Sequence, residues 1–352
     1  MGRRAVFTTT SIVVAIITAG CSNSSGGEID ESSVSALAGP STSASETAVS
    51  TVASASSQPT QAEFTRTSDV HYLTMNGIEL FMDVYTPMGD GPWPVVVAFH
   101  GLSSALKDAS TNTVVAEEAA ARGMVVFAPS WIAGEPFPLT IEDITMLNEA
   151  ANCSVAFAQQ HAPDFRGDPA RTVVYGFSAG AGPALVAALE PSTAPVPGCE
   201  TAAVPDPVVG VVLGDGEYFF HSENFDGAFR ADPAPMQAEV ASWTDPASWP
   251  ADLDAEFYLW AAADGTAQRA FADPWDPAGW LAQRDPTGAI RRDLDRLGAL
   301  EDGIVSNIDS AKLLRLKLAE AGIEATLDEY PGGHTTLDKA AELVDHLEAA
   351  AD

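Results

Sequence analysis

A serine alcohol becomes a useful nucleophile only when it is held rigidly beside a base, and Gly176-Phe177-Ser178-Ala179-Gly180 has a form that does this. A sharp turn from strand into helix presents Ser178. Such a turn crowds the neighbouring backbone, which accounts for a glycine on either side. A valine-rich run before it and an Ala/Gly-rich run after it supply the strand and the helix, and the amino end of that helix adds partial positive charge where an oxyanion develops. The candidate base is His334, which ends Tyr330-Pro331-Gly332-Gly333-His334, a loop after the last strand-like run that can carry an imidazole to the serine. The other histidines are His71, His100, His161, His221 and His346; they fall in an early hairpin, at an early strand end, on helices or in an insertion.

An acid must orient that imidazole. Asp264 follows the strand-like run Glu256 to Ala261 directly, and a short link to a rigid strand fixes a carboxylate in place. Asp302, just before a helical run containing Ser310 and Lys312, is the alternative. The choice turns on whether residues 266–300 were inserted after the acid or before it, and a fixed strand-to-acid distance favours Asp264. Acyl transfer also needs two donors for the tetrahedral oxyanion. The backbone N–H of Ala179 supplies one, and the loop after His100-Gly101 supplies the other, assigned to Leu102. His100 itself is read as holding that loop rather than transferring protons.

These residues need elements to position them. Val70 to Met75 and Ile78 to Tyr85 read as two strands joined by Asn76-Gly77, a dipeptide that supplies the positive φ angles of a tight hairpin turn. Pro94 to Phe99, Met124 to Ala128, Arg171 to Tyr175, Val208 to Leu213, Glu256 to Ala261 and Glu324 to Tyr330 are short runs suited to strands buried on both faces. Helical patterns at Asn112 to Arg122, Ile141 to His161, after Gly180 through Leu189, Ile308 to Ala321 and at the end of the chain alternate with them. That alternation predicts an α/β fold with a mainly parallel sheet covered by helices on both faces and a site at the carboxyl ends of the strands. Residues 217–254 and 266–300, rich in Pro, Trp, Asp and Phe, break the pattern and are read as insertions forming a cap. Their Trp243, Trp249, Trp275 and Trp280 either shape an apolar pocket or pack the insertions down.

From about residue 70 to 350 the chain resembles the esterase/lipase branch of the α/β hydrolases. The resemblance rests on Gly77-x-x-Leu80-x-x-Asp83-Val84-Tyr85-x-Pro87, Pro94-Val95-Val96-Val97-x-x-His100-Gly101, Gly167-Asp168-Pro169, the Ser178 pentapeptide and Gly332-Gly333-His334. The order serine, acid, histidine is also that family's order. The resemblance implies the α/β-hydrolase fold and hydrolysis of a small-molecule carboxylic ester through an acyl-enzyme, with no metal or organic cofactor. Leu102 stands where relatives commonly have the second glycine of His-Gly-Gly, which implies a different acyl pocket. A Cys153–Cys199 disulfide is loosely supported by the same resemblance. An acyltransferase or peptidase using the same triad, or a non-catalytic binding protein on the same fold, are the alternatives.

The amino-terminal part reads as an address. Arg3 and Arg4, the apolar run Ser11 to Ile17 and the small residues Thr18, Ala19 and Gly20 form a secretory signal over residues 1–20. The uncharged stretch is shorter than the roughly 20 residues of a spanning helix. Ala19-Gly20-Cys21 resembles the bacterial lipobox, with Thr18 where an aliphatic residue is usual, which implies a lipidated Cys21. Residues 21–62, almost all Ser, Ala, Thr and Gly with scattered acids, cannot bury enough apolar surface to order themselves and are read as a disordered tether to a catalytic domain over 63–352. The chain is therefore expected outside the cytoplasm, on the outer face of the bacterial cytoplasmic membrane or extracellular, touching the membrane through its lipid only. In that oxidising setting Cys153 and Cys199 read as a disulfide, with two buried thiols as the alternative. A net charge of −32 argues against nucleic acid as a partner, because phosphate binding needs basic patches.

Overall fold

Successive side chains leave a strand in opposite directions, so a run such as Val95-Val96-Val97-Ala98-Phe99 is stable only where both faces of a sheet are covered. The computed structural model describes residues 63–101, 110–132, 141–216, 247, 249–251, 253–263, 288–298, 307–331, 336 and 338–352. In chain order the elements are β1 (Phe64–Met75), β2 (Ile78–Pro87), β3 (Trp93–Phe99), α1 (Ser110–Ala121), β4 (Val125–Pro129), α2 (Ile141–His161), β5 (Gly167–Phe177), α3 (Ala181–Leu189), β6 (Gly210–Gly214), β7 (Glu256–Ala262), α4 (Ala289–Leu297), α5 (Asn307–Glu320), β8 (Ala325–Tyr330) and α6 (Ala340–Ala351). The strands form one eight-stranded sheet in the order β1-β2-β4-β3-β5-β6-β7-β8. The pairs β1–β2 and β2–β4 are antiparallel and the others parallel.

Side chains divide between the two faces as the alternation requires. Val95, Val97, Phe99, Val174, Val211 and Leu213 join a core with α2, α3, α4 and α5. Val96, Ala98, Val173, Tyr175 and Val212 join a second core with α1 and α6. This is the mainly parallel α/β sheet that the sequence implies, with helices on both faces.

The hairpin forms as expected: Asn76 (φ 50°) and Gly77 (φ 78°) both take left-handed conformations. Its strands run longer than their apolar cores suggest, because Phe64 to Thr67 pair in register with Pro87 to Val84 whatever their polarity. Asp83, fully buried on β2, accepts from Arg66 Nε at 2.8 Å and from the Asp69 backbone N–H at 3.0 Å. Buried charge needs such partners. Cys153 on α2 and Cys199 form a disulfide, as the sequence suggested. It fastens a segment that covers the free edge of β1: Thr74 N–H donates to the Gly198 carbonyl and Glu200 N–H to the Tyr72 carbonyl, each at 2.9 Å.

Each insertion sets some described residues into the core. Trp249 is buried, and α4 sets Ile290 and Leu294 into the α5 side of the sheet. On that interface Lys317 of α5 donates to Asp293 of α4 at 2.6 Å. Burial alone lowers the pKa of Lys317, but its bonds to Asp293 and Glu320 outweigh this and the net shift is upward. The signal, Cys21, the tether, Trp243, Trp275 and Trp280 lie outside the described residues.

Candidate active site

β3 leads into α1 on one face of the sheet, while its neighbour β5 leads into α3 on the other. Adjacent parallel strands whose chains leave in opposite directions open a crevice at their carboxyl ends. Ser178 stands there, directly after β5. Its φ is 55°, a left-handed conformation that costs a non-glycine residue roughly 1–2 kcal/mol. A single 3₁₀ turn, Ser178–Gly180, then passes into α3.

Steric closure holds that turn. A Cβ on Gly176 would strike the Gly180 carbonyl oxygen, and one on Gly180 would strike the carbonyl oxygens of Phe99 and His100. The turn is thereby pressed against the end of β3. A Cβ on Gly101 would come 3.1 Å from the Ser178 Cβ and 3.3 Å from the Phe177 carbonyl oxygen, so the loop leaving β3 begins in contact with the serine. Ser178 and Ala179 are both half-buried, reachable from solvent yet tightly backed.

His100 has the structural role expected of it. It is fully buried, its Nδ1 donates to the Gly101 carbonyl at 2.8 Å, and its own carbonyl accepts from Trp131 Nε1 at 2.9 Å. Among the described residues Nε2 is buried without a partner. Burial pushes the imidazole down to about 4, with the Gly101 bond opposing the shift, so the ring is neutral at ordinary pH and braces the loop.

On the other side of the crevice β7 and β8 end together, with Ala263 N–H donating to the Tyr330 carbonyl at 2.8 Å. Asp264 is two residues beyond Ala262 and His334 four beyond Tyr330. Ser178, Ala179, Gly101 and His100 are thus brought together at the ends of the adjacent strands β3 and β5, while Leu102, Asp264, Asp302 and His334 lie outside the described residues. One residue that sequence reasoning passed over is Asp215, buried immediately after β6. Its only signal in the sequence is the Gly214-Asp215-Gly216 punctuation of an apolar run. Among the described residues there is no group of His, Cys, Asp and Glu that could hold a metal ion, and no helix long and apolar enough to cross a membrane.

The chain is similar in structure to the apo form of esterase 2 from Thermogutta terrifontis, at 15% identity and a TM-score of 0.52, covering 83% of this chain and 92% of that one. This is the α/β-hydrolase fold. The same esterase phosphonylated by cyclosarin aligns at 16% identity over 82% of this chain and 91% of that one, with a TM-score of 0.52. The acetyl ester-xyloside bifunctional hydrolase of Caldicellulosiruptor lactoaceticus aligns at 14% identity and a TM-score of 0.51, over 78% and 87% of the two chains. In sequence, residues 82–201 match the family model BD-FAE, a stretch running from β2 to just past Cys199 that includes the Ser178 turn. No curated protein matches the chain in sequence.

Proposed function

We propose that the protein is an exported serine hydrolase, most simply a carboxylesterase, in which Ser178 attacks the ester carbonyl. The observation that carries this reading is Ser178 in a strained left-handed turn at the end of β5, kept there by glycines at 176 and 180 that admit no side chain and by the close approach of Gly101. Strain of this kind at a half-exposed serine has a use when the hydroxyl must be presented at one angle. Similarity to esterases of the same fold supports the reading.

In the proposed reaction His334 accepts the Ser178 proton as Oγ bonds to the carbonyl carbon, and the backbone N–H groups of Ala179 and Leu102 take up the oxyanion. Each donor is worth about 3–4 kcal/mol in the transition state. The imidazolium then protonates the leaving alkoxide oxygen, the C–O bond breaks and an acyl-serine remains; water, deprotonated by the same imidazole, releases the carboxylic acid. Chain reach supports His334 as base. β8 is three strands from β5, about 14 Å at ordinary strand spacing, and four extended residues cover about 13 Å before the imidazole's own length is added. Asp264 springs from β7, the strand beside β8, and is the preferred acid over Asp302. Export, with Cys21 lipidated, belongs to the same proposal, and the Cys153–Cys199 disulfide supports an oxidising compartment.

The test is a p-nitrophenyl ester series of increasing acyl length, with fluorophosphonate labelling, on the wild type and on Ser178→Ala, His334→Ala, Asp264→Asn and Asp302→Asn. Turnover and labelling should vanish in Ser178→Ala, and one aspartate variant alone should lose most of its kcat. Unchanged labelling in Ser178→Ala would overturn the assignment of the nucleophile. A wild type that acylates alcohols or cleaves short peptides in preference to hydrolysing esters would redirect the reading to an acyltransferase or a peptidase.

A further inference from the structure

Asp215 is a carboxylate with 1% exposure that has no part in the proposed bond-making, and it sits where three strands end. It follows Gly214, the last residue of β6, with φ 49°. Its Oδ1 accepts from the backbone N–H of Ala262, the last residue of β7, at 2.8 Å. Its Oδ2 accepts from the hydroxyl of Tyr330, the last residue of β8, at 2.7 Å. Its own N–H donates to the Trp260 carbonyl at 2.7 Å, and the Trp260 and Tyr330 rings stack with centroids 3.6 Å apart and planes 10° apart. Strand ends normally fray, since beyond the last pair no ladder fixes their spacing. β7 and β8 are still paired at this level, Ala262 opposite Tyr330, and the carboxylate adds a tie from the end of β6 to both.

The two residues it holds are the launching points of the two loops on which the proposed chemistry depends. Ala262 is two residues before Asp264, and Tyr330 is four before His334. We propose that Asp215 is a positioning residue for the acid–base pair: its carboxylate ties the ends of β7 and β8 to the end of β6, beside the strand that carries Ser178, and so sets where the acid and the imidazole stand relative to the serine. This inference rests on the serine-hydrolase reading with His334 as base. A carboxylate suits the task because each of its oxygens accepts a hydrogen bond and the pair spans both strand ends; an apolar side chain would remove both bonds.

The experiment compares Tyr330→Phe, Asp215→Ala, Asp215→Asn and the Asp215→Ala/Tyr330→Phe double variant with the full wild-type chain. It measures kcat and KM for p-nitrophenyl acetate, the rate of fluorophosphonate labelling, and thermal unfolding, with kinetics taken well below every unfolding midpoint. Displacement of a reacting group by about 1 Å costs on the order of 100-fold, so Tyr330→Phe and Asp215→Ala should lose roughly 10- to 100-fold in kcat and in labelling rate, with KM within about threefold. Asp215→Asn, whose carbonyl oxygen still accepts from Ala262, should recover part of the loss. The double variant should be no slower than Asp215→Ala, as expected of two groups sharing one bond. Lys317→Met, which breaks the buried α4–α5 ion pair, should lower the unfolding temperature and leave kcat unchanged. Tyr330→Phe is nearly isosteric and keeps the question open to refutation even if Asp215→Ala does not fold. A folded Tyr330→Phe with kcat within twofold of the wild type, a loss confined to KM, or additive losses in the double variant overturns the inference alone. A wild type with neither turnover nor labelling overturns the serine-hydrolase reading, and this inference with it.

Discussion

His100 gives a pH-dependent stability whose sign and size follow from its surroundings. Its Nδ1 proton is committed to the Gly101 carbonyl, so any further proton must go to Nε2, which is buried without a partner. Burial therefore lowers the folded-state pKa from 6.5 to about 4. In the unfolded chain the imidazole binds its second proton near pH 6.5, while in the folded protein it stays neutral down to about pH 4. Between those values the unfolded state holds more protons, so stability rises with pH and is lost as the solution is acidified. At about 1.4 kcal/mol per unit of pKa difference, the loss relative to pH 7 is about 2 kcal/mol at pH 5 and about 3 kcal/mol at pH 4. Other carboxylates titrate in the same range, so the comparison must be with a chain that differs only here. His100→Asn keeps an N–H donor for Gly101 and cannot titrate. Urea unfolding followed by circular dichroism at pH 7, 6 and 5 should show the variant less stable at pH 7 and the gap closing by about 2 kcal/mol at pH 5. A gap that stays constant or widens on acidification would refute both the burial of a neutral imidazole and the role given to it.

Two other outcomes can be checked with the same apparatus. Ser178→Gly removes the nucleophile together with the left-handed strain of roughly 1–2 kcal/mol, offset in part by the greater freedom of glycine in the unfolded chain; activity should disappear while stability is unchanged or raised, and a loss above about 1 kcal/mol would show that the turn is not strained. Replacing Cys153 and Cys199 by alanine opens a cross-link between residues 46 apart, which should cost about 2–4 kcal/mol in urea unfolding and free the segment covering β1; unchanged stability would mean that the bond does not constrain the unfolded chain.

What was legible in the sequence was whatever a local rule dictates. Asn76-Gly77 announced a turn because few other dipeptides tolerate two positive φ angles, and the apolar runs announced strands covered on both faces. The glycines around Ser178 announced a crowded turn, although the sequence could not say that the end of β3 does the crowding. Boundaries were less legible. Gly167 to Ala170 contains charge and proline and does not look like a strand, yet it continues β5, with Gly167 paired to Trp93. Asp215 was invisible for a different reason: a carboxylate after an apolar run reads as a surface charge until the neighbouring strands are in place to supply a backbone N–H and a hydroxyl. The choice between Asp264 and Asp302 stayed open because sequence order fixes neither the path of an insertion nor the point at which it was spliced in.

Two neighbouring strands end in a non-glycine residue with positive φ, Ser178 after β5 and Asp215 after β6, and the strands are in register at that level, Phe177 opposite Gly214. They are stabilised by opposite means. Around Ser178 the backbone is held because other conformations are blocked by carbonyl oxygens packed against glycines, whereas around Asp215 it is held by hydrogen bonds from two neighbouring strand ends to one carboxylate. The first arrangement answers to volume: a single methyl group at Gly176 or Gly180 has nowhere to go. The second answers to hydrogen-bonding capacity, and changes that conserve volume, such as Tyr330→Phe, suffice to disturb it. A nucleophile needs one fixed angle, which steric closure gives. An acid and a base that follow two different strands need a fixed placement against the serine, and a side chain that ties both strand ends to β6 gives one. The physical demands of the proposed reaction therefore match the kind of constraint found at each of these two strand ends, and that match is a stronger argument for the site than the presence of the serine alone.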